Sequence, residues 1–126
     1  MKVIYENHNL FPESILIRKF IWKASSLDII KSWEYLLENN LIEKNIKGVI
    51  TNLLECDLNL DMESFKTVIN YMQNQACLKG IKCAVVTENS KTIVFPFLGE
   101  KRNSDLKIKP FSTIEAAVNW IIPSSI

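Results

Sequence analysis

Apolar and polar positions along the chain alternate between two rhythms. Met1 to Tyr5 reads as a first strand, and Asn7-His8-Asn9 as the turn after it. Ser14 to Trp22 follows, with apolar side chains on both faces at Ile15, Leu16, Ile17, Phe20 and Ile21. Such a near-continuous run fits an interior strand covered on two sides. A link this short joins the two strands most simply as an antiparallel hairpin. The period then changes to that of a helix. Ser25 and Asp28 stand at capping-box spacing, and Ile29, Ile30, Trp33, Leu36, Leu37 and Leu41 recur on one face.

Gly48 breaks that pattern, and Val49 to Leu54 is a strand by its branched apolar content. Asp61 is placed to cap a second helix, with Glu63 in its first turn and a stripe running from Met62 through Phe65, Val68, Ile69 and Met72 to Ala76. Gly80 ends it. Cys83 to Thr87 is the next buried strand, and Thr92 to Lys101 reads as a short helix that Pro96 starts or kinks. Leu106 to Phe111 alternates Lys107 and Lys109 with Leu106 and Ile108, and Pro110 interrupts its ladder, as expected at a sheet edge. Ser112-Thr113-Ile114-Glu115 opens a last helix with Ser112 as its cap, along Ile114, Val118 and Ile121, and Pro123 stops it.

The order is β-β-α-β-α-β-α-β-α. Strands alternating with helices imply an α/β fold: a mixed, mostly parallel five-stranded sheet with about four helices and interior strands at Ser14, Gly48 and Cys83. A chain of 126 residues with three glycines and four prolines predicts one domain spanning 1–126 with short connections.

Charge narrows the partners. The formal net charge is +1, and the adjacent basic pairs Arg18-Lys19 and Lys101-Arg102 read as solvated surface, so nucleic acid is not expected. There is no apolar run of membrane-spanning length and no signal-peptide pattern. Three cysteines without a CxxC fit reduced thiols in a cytoplasmic protein.

Candidate chemistry is sparse. His8 is the only histidine, in a polar turn, and reads as an ordinary exposed residue; no metal site is expected. Cys77 and Cys83 read as small core residues, and Cys56 has no base near it in sequence. Phosphate-binding glycine loops and nucleophile elbows are missing. Glu55, Asp57 and Asp61 gather near one strand's end, read as a cap and a solvated loop. Trp22, Trp33 and Trp120 read as core or half-buried. No catalytic residue and no cofactor is expected.

Three strings carry a resemblance: Lys47 to Asn52 as the central strand, Ile81 to Val86 as the next, and Phe111 to Ile121 as the closing helix. With the element order, they make the chain resemble a STAS domain, the fold of bacterial anti-sigma-factor antagonists and of sulfate-transporter tails, and most of all the small stand-alone bacterial type. The resemblance implies a non-enzymatic, regulatory protein-binding module. In phosphorylatable members an Asp-Ser pair opens the helix after the central strand, and a partner kinase modifies the serine. Here the matching pair is Asp61-Met62, and Met62 has no hydroxyl. Asn52 stands where many members carry an aspartate.

The expected site is the loop from Cys56 to Met62 at the carboxyl end of the central strand. Its candidate contacts are Asn52, Cys56, Asp57, Leu58, Asn59, Leu60, Asp61 and Met62, with Leu58 and Leu60 as exposed apolar anchors. The alternative is a carrier or sensor of a small apolar, lipid-like ligand, its pocket lined by Thr92 to Leu98. Homodimerisation is left open.

Overall fold

A computed structural model describes residues 2–58, 61–88 and 106–123. Five strands, β1 (Lys2–Asn7), β2 (Ile15–Ala24), β3 (Gly48–Leu58), β4 (Lys82–Val86) and β5 (Lys107–Phe111), form one sheet in the order β1-β2-β3-β4-β5. β1 pairs antiparallel with β2, and every other pairing is parallel. The helices among the described residues are α1 (Ser26–Glu38), α2 (Met62–Gln73) and α3 (Ile114–Ile121), with a 3-10 turn at Ala76–Leu78. The helix expected over 92–101 lies outside the described residues.

Strand alternation sorts the side chains onto two faces. Leu16, Phe20, Val49, Leu53 and Cys83 face the larger core, with Ile29, Trp33 and Leu36 of α1 and Phe65, Ile69 and Met72 of α2. Ile15, Ile17, Ile50, Ala84 and Val86 face the other, smaller core, beneath Ala117, Val118 and Ile121 of α3. The two-sided apolar strands are therefore the interior ones, as their composition predicts.

Caps fix where the helices begin. Ser25 and Asp28 form the capping box of α1, each side chain accepting from the other's backbone N–H. Asp61 caps α2 by accepting from Ser64 N–H at 2.7 Å. At α3 the cap is Thr113, not Ser112: its hydroxyl accepts from Ala116 N–H at 3.1 Å. Both residues fit the spacing rule, and a one-residue choice of cap lies below what spacing resolves. α2 also ends earlier than its stripe suggests. Asn74 is its C-cap, and Ala76 belongs to the 3-10 turn, which leaves Cys77 exposed rather than in the core.

Gly48 is needed for a close approach. A Cβ placed there would meet the Ile121 side chain at 2.7 Å, so the end of α3 sits directly on the start of β3.

Candidate functional site

β3 runs four residues past the expected Leu54 end and carries Glu55, Cys56, Asp57 and Leu58 as strand. The β2–β3 register explains how. Lys19 pairs with Asn52, but Ile21 pairs with Glu55, so β3 holds one extra residue around Leu53 and Leu54. This is a β-bulge. Asn52 closes it, its side-chain oxygen accepting from Leu54 N–H at 3.0 Å. β4 stops pairing at Asn52, and β1 stops at Ile21. Beyond those points Trp22–Ala24 and Cys56–Leu58 continue together as a two-stranded arm at the carboxyl edge of the sheet.

One face of the arm is anchored. Leu58 and Ala24 are buried in the larger core, and Cys56 packs partly against it. Leu58 is 8% exposed, which corrects its expected role as an exposed anchor. The extra residue of the bulge sets the phase that turns Leu58 inward, and sequence does not reveal a bulge of that kind. Cys56 is no activated thiol: burial first, then the nearby Asp57 and Asp28 carboxylates, push its pKa up. Asp57 is exposed, and Glu55 forms an ion pair with Lys19. Asp61 is held below the usual carboxylate range by the Ser64 N–H it caps. Met62 opens α2 and is 43% exposed. Asn59 and Leu60 lie outside the described residues.

The edge exposes an aromatic residue expected to be core or half-buried. Trp22 is 69% exposed, and its φ of 78° lies in the left-handed region. A non-glycine residue there costs about 1–2 kcal/mol. Leu27, in the first turn of α1, is exposed as well. Trp22 pairs with Cys56, so it sits in the arm beside the predicted residues. Its one sequence signal is the position of a bulky aromatic at the carboxyl end of an interior strand. The other two tryptophans behave as expected: Trp33 is buried and Trp120 half-buried.

A second feature reverses an expectation outright. Arg18, read as solvated surface, is 2% exposed. It stands between Leu16 and Phe20 on the face that α1 and α2 cover, so alternation forces it inward. Its Nε donates to Thr51 Oγ1 at 2.8 Å and its Nη1 to the Ile29 carbonyl at 3.3 Å. The guanidinium lies 3.8 Å over the Trp33 ring. Burial lowers its pKa to about 9, partly opposed by the Cys83 and Tyr5 side chains. Burial likewise pushes the Cys83 thiol up to about 12.

Arg18, Thr51 and Cys83 border an otherwise apolar cavity of about 60 Å³ between the sheet and helices α1 and α2. Thr92 to Leu98, expected to line an apolar pocket, lie outside the described residues. His8 is half-buried rather than exposed, its Nδ1 accepting from the N–H groups of Leu10 and Phe11. Among the described residues no three His, Cys, Asp or Glu side chains stand close enough to share a metal ion, and no helix is long and apolar enough to cross a membrane.

The comparisons fit this architecture. An uncharacterised protein of the DUF3478 family from Shewanella loihica PV-4, described as having a SpoIIAA-like fold, superposes with a TM-score of 0.62 at 16% identity, over 95% of this chain and 92% of that one. The anti-sigma factor antagonist SpoIIAA in its unphosphorylated form superposes with a TM-score of 0.55 at 10% identity, over 98% and 100%. The chain has a SpoIIAA-like, STAS-type fold. No family model and no curated protein matches the sequence. The identities are low, so the likeness is one of fold.

Proposed function

We propose that residues 1–126 form one non-catalytic, regulatory module that binds a protein partner through the carboxyl edge of its sheet. The observation that carries this reading is Trp22, a large aromatic held exposed in a costly backbone conformation. Tryptophans of this kind dominate interface energies, and strained residues concentrate where a structure does work. Leu27 and Met62 add apolar surface at the first turns of the two helices that leave this edge. Asn52, Asp57 and Asp61 offer polar contacts, and Cys56 and Leu58 hold the arm on the core.

The likeness to an anti-sigma factor antagonist supports a regulatory role. Met62 at the position expected for a phosphorylatable serine favours binding without a phosphoryl switch there.

In-cell photo-crosslinking tests the reading. A crosslinker at position 22 or 62 is expected to capture one and the same protein, while one at position 44, at the opposite end of the strands, does not. Equal capture from all three positions contradicts it.

The alternative, a ligand-binding domain, is favoured by a different observation, the cavity beside Arg18.

A further inference from the structure

The cavity between the sheet and α1 and α2 is apolar on most of its wall, with Leu53, Phe65, Met72 and Ile108 among its residues. Its volume of about 60 Å³ is several times the ~10–15 Å³ that one water requires by this measure. Two hydrogen-bond donors on that wall are short of acceptors. Trp33 Nε1 is buried with no partner. Arg18 carries five N–H hydrogens, and its described bonds are one from Nε and one from Nη1, leaving Nη2 without one. The ion pairs among the described residues are Lys19–Glu55 and Lys66–Glu63, so no carboxylate of theirs neutralises the guanidinium.

This is a costly arrangement. Burying a charge without a counter-charge is ordinarily strongly unfavourable. The Trp33 ring beneath the guanidinium offsets part of that cost through its π-face, but it accepts none of the free N–H groups. What the described residues of its wall lack is an acceptor with a negative charge, and what the rest of them offer is room for hydrocarbon.

We propose that this cavity binds a small monocarboxylate with a short apolar tail, its carboxylate on Arg18 and Trp33 Nε1 and its tail against the apolar wall. A planar carboxylate matches the guanidinium fork, and a charge-assisted hydrogen bond inside a low-dielectric site is about twice as strong as a neutral one. A purely hydrocarbon ligand would fill the space and leave both donors unmet. The inference does not rest on the docking edge, and Trp22→Gly is expected to leave ligand binding unchanged.

The test is an NMR titration of the full chain, following the indole N–H of Trp33, identified by elimination with Trp22→Phe and Trp120→Phe. Sodium butyrate, butyramide and sodium chloride are compared at matched ionic strength. Butyrate is expected to shift the Trp33 resonance saturably and raise the melting temperature. Butyramide, the neutral isostere, is expected to bind at least about tenfold more weakly, and chloride to leave the resonance in place. Arg18→Met is expected to fold and lose the butyrate response; should it not fold, the three-ligand comparison on the unaltered chain decides alone. No saturable response to butyrate, an equal response to butyramide, or an equal response to chloride would each overturn the proposal.

Discussion

Arg18 and Cys83 occupy neighbouring places in the core and respond to alkali in opposite senses. The buried thiol ionises near pH 12 against 9.0 as its ordinary value, so over that interval the unfolded chain sheds a proton that the folded chain keeps. That contribution lowers stability as pH rises. Burial lowers the Arg18 pKa from 12.5 to about 9, so over nearly the same interval the folded chain gives up a proton that the unfolded chain keeps. That contribution raises stability with pH. Each slope is at most about 1.4 kcal/mol per pH unit, and the two oppose each other. Chemical denaturation from pH 8 to 11 should therefore separate the variants. Cys83→Ala should gain stability relative to the parent as pH rises, and Arg18→Met should lose it. Parallel curves would show that neither group is shifted. Gly48 gives a second residue-scale test. Gly48→Ala drives a methyl into the buried, branched Ile121 side chain and is expected to cost about 1–3 kcal/mol in the same measurement. A neutral substitution would mean that α3 does not seat there.

At the scale of elements, order and type were legible wherever a period persisted. α1 shows why: capping box, apolar stripe and polar face agree on one helix, and consistency between levels makes a sequence readable. The misses fall where one residue changes the phase. Counting in twos along β3 puts Leu58 on a face that the extra residue at Leu53–Leu54 exchanges, and no glycine marks that bulge. Hydrophobicity argues for burial of Trp22, whereas the residue has a positive φ and stands in solvent. Charge argues for Arg18 at the surface, whereas its position between Leu16 and Phe20 fixes it on a covered face. Of the candidate site, the sheet edge and the Asp61 cap were legible; the arm, its tryptophan and the cavity required the paired register. The cap of α3 offers a direct check. Thr113→Ala should cost roughly 0.5–2 kcal/mol of unfolding free energy, and Ser112→Ala less than about 0.5. The reverse ranking would return the cap to Ser112.

The whole molecule separates what holds it together from what it presents. The larger core locks α1 and α2 to one face, and α3 covers Ile15, Ile17, Ile50 and Ala84 on the other. Deleting residues from Thr113 onward should bare that second face and make the chain unfold or aggregate, visible as loss of its cooperative melting transition; unchanged melting would show α3 to be dispensable. The arm, by contrast, places Trp22 on the outside at a cost to its own backbone. Strain of that kind persists when surrounding structure enforces it, and it concentrates at binding surfaces. The most direct test of the docking edge is Trp22→Gly, measured for melting temperature and for affinity to the protein captured by crosslinking at position 22. Glycine adopts a φ of 78° freely, so stability should stay the same or rise by up to about 1 kcal/mol. Affinity should fall at least about tenfold, as for an interface tryptophan. A fall in melting temperature with affinity unchanged would make Trp22 a structural residue and contradict the assignment of this edge to the partner.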